Sequence, residues 1–179
     1  MATSAGTLRF SIRPAMATDV ERLRQIEIDA GRRFRDVGLD SIADEEPPAV
    51  AVLAAYIEAG GAWVAVDSTG VLIGYAVSSV VDGEAHLDQV SVVESAAGSG
   101  VGRALIDEVC RWAISVGSGA LTLTTFRDVA WNGPYYERLG FRRLDGDELG
   151  PELAAIRSTE IASGLDVAPR CAMRRELRP

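Results

Sequence analysis

The amino-acid sequence predicts an α/β domain whose central sheet is mixed and mostly antiparallel, with helices flanking it. Segments with the alternation of β-strands are interleaved with amphipathic segments of helical period. Three strand-like segments follow one another within 62–93 and are separated only by turn sequences, as in an antiparallel meander. The chain has 179 residues, of which 47% are hydrophobic, so it can bury one sizeable core. We therefore expect a single domain over residues 1–179.

The predicted strands are short segments in which apolar residues alternate with polar ones or run together between turn residues. Pro14 ends the first strand, and the turns Ser-Thr-Gly and Asp-Gly separate the strands of the meander. The strands are expected at 8–13, 62–66, 71–81, 84–93 and 121–126, from 141 onward, and at 170–177.

The predicted helices have apolar residues at helical spacing and recognisable start and stop residues. Thr18 and Asp19 can cap the first helix, and the pair Pro47-Pro48 opens the second. Gly117 ends the helix that begins at Val101 and has its apolar residues on one stripe. The helices are expected at 20–33, 47–59, 101–116, 134–139 and 151–163, and 34–46 is expected to be a loop.

Charge and composition argue against several classes of protein. The net charge of −8 repels nucleic-acid phosphates and favours cationic partners such as amines or basic peptides. No segment has the roughly 18–20 apolar residues of a membrane span, and no signal peptide is recognisable. One histidine and two isolated cysteines, Cys110 and Cys171, predict no metal site. We expect a cytoplasmic protein that binds neither nucleic acid nor membrane.

A glycine-rich segment, Ala97-Gly-Ser-Gly-Val-Gly-Arg103, lies between a predicted strand and a predicted helix. Glycines let backbone N–H groups approach a ligand, and a helix N-terminus adds about half a positive charge, so the loop favours a pyrophosphate. A P-loop would need lysine and a hydroxyl here, and Arg103 takes the place of the third glycine in a dinucleotide fingerprint. A tight turn that binds nothing is the other interpretation.

Three motifs together resemble the GNAT N-acetyltransferases. Residues 92–105, Val-Val-Glu-Ser-Ala-Ala-Gly-Ser-Gly-Val-Gly-Arg-Ala-Leu, resemble the acetyl-CoA motif, although Ala97 stands where the family usually has Arg or Gln. Residues 12–15, Ile-Arg-Pro-Ala, are similar to the end of its opening strand, and Trp-Asn-Gly-Pro-Tyr-Tyr-Glu-Arg-Leu-Gly-Phe (131–141) to its Asn…Tyr-Glu-x-Leu-Gly-Phe segment. The resemblance covers about 8–145 and implies the GNAT acyltransferase fold, with 170–177 as the closing strand.

The resemblance implies that acetyl-CoA is the cosubstrate and that no metal takes part. The thioester would lie where the strand 84–93 splays from 121–126, and a backbone N–H near Val90 would stabilise the developing oxyanion. Backbone amides, or Ser99 and Arg103, would have to supply what Ala97 lacks. The implied cosubstrate contacts are Val90, Ser91, Val92, Val93, Gly98, Ser99, Gly100, Val101, Gly102, Arg103 and Asn132.

The implied reaction is direct attack of a primary amine on the thioester. Alkyl amines are almost wholly protonated at neutral pH, so the site must remove a proton and later return one to the thiolate. His86 and Asp88 stand two apart on a predicted strand, hence on one face, where several GNAT enzymes place a base. Tyr136 falls on the family's tyrosine that faces the coenzyme sulfur and is the implied acid.

The acceptor is predicted to be a small-molecule amine, and the acidic balance favours a cationic one, with 34–46 bordering its site. Three alternatives remain open: a longer acyl-CoA, a protein N-terminus or peptide lysine as acceptor, and a non-catalytic sensor of acyl-CoA. The resemblance also implies a homodimer as one arrangement, for which 151–163 is a candidate interface.

Overall fold

Residues 9–177, which the computed structural model describes, form seven strands and six α-helices. The strands are β1 (Phe10–Pro14), β2 (Ala62–Asp67), β3 (Leu72–Val81), β4 (Glu84–Val92), β5 (Ala120–Phe126), β6 (Arg142–Arg143) and β7 (Arg170–Glu176). The helices are α1 (Val20–Gly31), α2 (Asp40–Ala43), α3 (Val50–Glu58), α4 (Val101–Ser115), α5 (Gly133–Arg138) and α6 (Pro151–Ala162).

The seven strands form one sheet in the order β1-β2-β3-β4-β5-β7-β6. Every neighbouring pair is antiparallel except β4 and β5, which are parallel. The predicted mixed, mostly antiparallel sheet and its β2–β4 meander are therefore confirmed. The C-terminal strand β7 inserts between β5 and β6, so a strand distant in sequence completes the sheet.

The prediction of a loop over 34–46 was wrong, because this stretch contains a 3-10 helix at Arg32–Val37 and the short helix α2. The second predicted helix begins at Val50 rather than at Pro47. Pro47 precedes Pro48, and helical backbone angles are disfavoured for a residue that precedes a proline. The first residue of the predicted opening strand, Leu8, lies outside the described residues.

A β-bulge interrupts β4 at Asp88. Val77 of β3 pairs with Gln89 and the next residue, Ser78, pairs with Leu87, so β4 has one residue more than its partner at this point. Bulges bend the strand and redirect side chains, which is why they are common beside active sites. Asp88 therefore occupies a position that strict strand alternation does not describe.

The parallel pair of β4 and β5 is short. It is aligned through Ala85 with Leu121 and His86 with Thr122, at the N-terminal part of each strand. Beyond these residues the two strands separate, as the sequence predicted, and a gap opens between their C-terminal ends. The gap is where the sheet itself leaves room for a ligand.

Apolar residues of α1 and α4 pack against the sheet and bury the core. Leu23 and Ile26 of α1 are fully buried, and so are Leu105 and Val109 of α4. This packing fixes the end of α1 beside β4 and the start of α4 beside the gap. In the described part of the chain, no helix combines the length and apolar character needed to cross a membrane.

Candidate active site

Two adjoining cavities open at the gap between β4 and β5. The large cavity, of about 680 Å³, is bounded by the glycine-rich segment, the end of β4 and α5. The small cavity, of about 420 Å³, lies among α1, α2, β5 and α6. Residues common to both walls mark where the cavities meet: Glu27, Gly31, Phe34, Gln89, Val90, Asn132 and Tyr136.

The glycine-rich segment lines the large cavity with main chain rather than side chains. Gly98 and Gly100 have φ of 74° and 91°, in the left-handed region where a side chain is strained. Gly100 directly precedes α4, whose first N–H groups have no partner within the helix. The loop therefore presents amides and a helix N-terminus to the cavity, an arrangement suited to a phosphate.

Most of the predicted cosubstrate contacts line the large cavity: Val90, Ser91, Val92, Gly98, Gly100, Gly102, Arg103 and Asn132. Three predicted contacts are not part of that wall. Val93 and Val101 are buried in the apolar core, and the Ser99 hydroxyl donates to the carbonyl of Ala96 at 2.5 Å. The Ser99 side chain is thus already hydrogen-bonded within the loop.

Two buried polar atoms on the large cavity's wall have no hydrogen-bond partner among the described residues: the Asn132 Oδ1 acceptor and the Trp131 Nε1 donor. The Asn132 amide nitrogen donates to Thr125 Oγ1 at 2.8 Å, so the Asn132 Oδ1 atom points away from Thr125. Leaving such atoms unpaired costs about 1–3 kcal/mol each, so they suit a ligand with its own amide or hydroxyl groups. The pantetheine arm of CoA has both.

Tyr136 lies where the two cavities meet. Its side chain is 8% exposed, and its ring packs edge-on against Tyr135 and Phe141 at centroid distances of 5.5 and 5.6 Å. Burial raises the pKa of its phenol, so the hydroxyl keeps its proton at neutral pH. A protonated hydroxyl at this position can donate a proton into either cavity.

His86 is only 3% exposed and lines neither cavity. Its Nδ1 lies 2.8 Å from Thr122 Oγ1, and that hydroxyl donates to the carbonyl of Ala85 at 3.3 Å. With that hydroxyl as the donor to Ala85, the tautomer assigned to His86 carries its proton on Nδ1, which donates to Thr122, and Nε2 is the basic nitrogen. Burial lowers the pKa of His86, which keeps the imidazole neutral. Its role as the base stays a prediction.

Asp88, in the bulge, lines the small cavity. Its Oδ2 atom is buried with no hydrogen-bond partner among residues 9–177. Burial raises the pKa of this carboxyl, opposed by the nearby His86 and by the polar groups of Ser79 and Tyr56. A carboxylate with a raised pKa is a stronger proton acceptor than an ordinary aspartate.

Glu27 was missed by sequence reasoning, although it lines both cavities. Its carboxylate accepts hydrogen bonds from Tyr75 at 2.7 Å, Gln89 at 2.8 Å and Ser91 at 2.5 Å. On a helix with exposed charged residues, one more glutamate is typical of a solvated face. Only the packing of α1 over β3 and β4 brings it to the site.

The two cavities differ in charge. Five carboxylates line the small cavity, those of Glu27, Glu45, Glu46, Asp88 and Glu160. Its wall includes one cationic side chain among the described residues, Arg170, which is paired with Glu160 at 2.9 Å. Arginines line the large cavity instead: Arg33, Arg103 and Arg138. The large cavity thus suits an anion and the small one a cation.

A sheet that opens beside a glycine-rich loop suited to a phosphate, next to a second cavity lined by titratable groups, is typical of one class of protein: a group transferase with a nucleotide-bearing donor. Comparison with known proteins agrees with this class. The model of the acetyltransferase (GNAT) family matches residues 21–141. The chain belongs to the GNAT acetyltransferase family, a family of acyltransferases.

Solved structures with this fold include proteins from Neisseria gonorrhoeae, Thermoplasma acidophilum and Staphylococcus aureus. An N-acetylglutamate synthase from Neisseria gonorrhoeae, complexed with coenzyme A and N-acetyl-glutamate, has a TM-score of 0.70 at 19% identity; the match covers 96% of this chain and 36% of that one. The PaiA N-acetyltransferase from Thermoplasma acidophilum, complexed with coenzyme A, scores 0.70 at 14% identity, covering 94% and 99%. A GNAT-family acetyltransferase from Staphylococcus aureus scores 0.71 at 15% identity, covering 95% and 100%.

These neighbours are similar in fold, and at such identities they do not assign an acceptor. This chain spans about a third of the synthase's length and nearly all of the other two proteins. No group of three or more His, Cys, Asp or Glu side chains within residues 9–177 is placed to hold a metal ion.

Proposed function

We propose that the protein, acting as a single domain, transfers the acetyl group of acetyl-CoA to a primary amine of a small cationic molecule. One observation supports this proposal above the others: a cavity lined by arginines and a cavity lined by carboxylates meet at Tyr136. An anionic donor and a cationic acceptor would each find a complementary wall, with their reacting ends at the junction.

Acetyl-CoA supplies an activated acyl group as a thioester. In our proposal the loop amides at Gly98 to Gly102 and the N-terminus of α4 bind its pyrophosphate, and the main chain of Val90 to Val92 runs beside its pantetheine arm. The unpaired Asn132 Oδ1 accepts a hydrogen bond from that arm. Together these contacts orient the thioester at the gap between β4 and β5.

Proton transfer is assigned to groups at the junction and in the small cavity. Glu27, held in place by three hydrogen bonds, attracts the ammonium group of the acceptor. Asp88 accepts its proton, since burial raises the pKa of that carboxyl. His86 remains the second candidate base. It lies close enough to Asp88 for the charge of each group to influence the pKa of the other. Tyr136 donates a proton to the departing thiolate.

The charge of the small cavity supports a cationic acceptor over an amino acid bound through its carboxylate. A carboxylate would need a free cation, and Arg170 is already paired with Glu160, which also bonds to Arg157. An acceptor cation would instead face Glu45, whose pKa burial raises, while the charge of Arg170 lowers it and that of Glu27 raises it. A second positive charge on the acceptor adds to the attraction of Arg170 and opposes the repulsion from Glu27.

Calorimetric titration with acetyl-CoA, followed by an assay of amine-dependent thiol release, tests the proposal. We expect one site per chain with a micromolar dissociation constant and thiol release that depends on added amine. Absence of binding up to millimolar acetyl-CoA would refute the proposal. Tight binding without thiol release with any amine or cationic peptide would leave a sensor of acyl-CoA instead.

Matched acceptors test the charge of the small cavity. We expect kcat/KM for 1,5-diaminopentane to exceed that for pentylamine by about tenfold or more. The second ammonium group of the diamine can form an ion pair in a partly desolvated site, and a stabilisation of about 1.4 kcal/mol corresponds to a factor of ten. Glutamate should react more slowly than either. The preference should shrink at about 1 M salt. Equal rates for the diamine and the monoamine would contradict a cationic acceptor while leaving amine acetylation intact.

A further inference from the structure

Arg33 lies on the wall of the large cavity, in the turn that follows α1. Its guanidinium carbon is 3.9 Å from the centre of the Trp131 ring. Such stacking holds the guanidinium plane in place and leaves its N–H edges available. The side chain is half-buried, and burial lowers its pKa although Asp36 and Glu94 act in the opposite direction.

Arg33 has no ion-pair partner among the described residues, a property that on this wall it shares with Arg138 but not with Arg103. Arg32 pairs with Asp29 at 3.3 Å, and Arg35 pairs with Asp44. Arg103, across the cavity, is 3.7 Å from Asp107. A partly desolvated guanidinium without a carboxylate is costly, and its position on a cavity wall suits an anionic ligand.

The end of α1 is hydrogen-bonded to the short 3-10 helix, Glu94–Ala96, that directly precedes the glycine-rich segment. The backbone N–H of Glu94 donates to Asp29 Oδ2 at 2.9 Å, and the charge of Glu94 influences the pKa of Arg33. Ala97 and Arg33 line the same cavity. Ala97 is the position at which the sequence lacks the Arg or Gln typical of the acetyl-CoA motif, so a cation from another element lines the same cavity as the position where one is missing.

We propose that Arg33 binds the diphosphate of acetyl-CoA and takes the place of the side chain absent at Ala97. The inference rests on the proposed binding of acetyl-CoA in the large cavity. A guanidinium fork can donate to oxygens of both phosphates, while the loop amides and the N-terminus of α4 hold them from the other side. The positive charge comes from the turn after α1, which in sequence is more than 60 residues from the loop.

Calorimetric affinities of the Arg33→Gln and Arg32→Gln proteins test this inference. We expect Arg33→Gln to weaken acetyl-CoA binding about 10- to 100-fold, the usual loss for charge-assisted hydrogen bonds. Arg33→Lys should fall between, because lysine retains the charge but loses the fork and the stacking. Arg32→Gln, an exposed neighbour already paired with Asp29, should change the affinity less than twofold.

The ligand and a rescue variant separate diphosphate binding from other roles. The loss should be the same with 3′-dephospho-CoA; a loss seen only with CoA would move the contact to the 3′-phosphate and overturn the inference. Ala97→Arg should restore most of the affinity of the Arg33→Gln protein, because Ala97 is exposed and extended. A merely structural role for Arg33 would not be rescued this way.

The outcomes for the two proposals are distinct. A wild type that does not bind acetyl-CoA refutes the proposed function. A wild type that binds it, with Arg33→Gln binding equally well, refutes only the assignment of Arg33. If Ala97→Arg failed to restore the acetyl-CoA affinity of the Arg33→Gln protein, the assignment would also be contradicted. The melting temperature of each variant is the control that shows whether it is folded.

Discussion

Replacing Tyr136 with Phe is expected to lower kcat about 100- to 1,000-fold, the range found when a general acid is removed. The change deletes one hydroxyl and keeps the ring, whose edge-on contacts with Tyr135 and Phe141 hold α5 in place. Affinity for acetyl-CoA, measured by calorimetry, should change by less than roughly threefold, because a general acid acts mainly in the transition state. Steady-state thiol release gives kcat for comparison.

Tyr135→Phe is the matched comparison, because it removes a hydroxyl from the neighbouring ring in the large cavity. We expect a roughly tenfold or smaller effect, mostly on KM, since Tyr135 lies outside the junction with the small cavity. Burial raises the pKa of Tyr136, so wild-type kcat should not fall through loss of this proton until the pH exceeds tyrosine's ordinary value of about 10. Full activity of Tyr136→Phe would refute its assignment as the acid.

Asp88→Asn is expected to lower kcat about 100-fold and, at neutral pH, to make the protein more stable. Asparagine cannot accept the proton of the ammonium group, which explains the loss of activity. It keeps the size of the side chain but removes the charge of a carboxylate whose Oδ2 atom is buried without a partner among the described residues. We expect a rise in melting temperature of about 2–4 °C, equivalent to about 1 kcal/mol for a chain of this length.

The sign of the stability change follows from the pKa of Asp88. Burial raises it above the unfolded value, so between the two values the folded state binds more protons than the unfolded state. Asp88 therefore makes the free energy of unfolding fall as pH rises through this window, and its full cost is present above the folded-state pKa. Wild-type activity should decline on acidification at a pH above the ordinary aspartate value of about 3.9.

Thermal melts and pH–rate profiles of Asp88→Asn and Asp147→Asn provide the measurement. Asp147 is exposed and lines neither cavity, so its replacement should alter neither property. If Asp88→Asn retained wild-type kcat, the base would have to be His86 or Glu27. A lower melting temperature would contradict the uncompensated burial of the carboxylate.

Local sequence patterns were sufficient for most of the fold. The alternation of the meander and the apolar stripe of α4 predicted those elements because side-chain burial follows strand and helix periods. The stretch 34–46 was mispredicted, since its short helices are held by packing against neighbouring elements and have little periodicity of their own. The C-terminal position of β7 was predicted, but its place between β5 and β6 depends on long-range pairing.

The sequence by itself, through its resemblance to a family, predicted the parts of the candidate site that lie within one continuous segment: the glycine loop before α4, and Asn132 and Tyr136 around α5. Their spacing is set by local backbone geometry, so a motif is enough to find them. Only the tertiary structure decided which distant groups join them. Glu27 and Arg33 reach the cavities because α1 packs across β3 and β4, and the bulge at Asp88 exists only in the pairing of β4 with β3. Such contacts depend on the packing of whole elements, which no short stretch of sequence encodes.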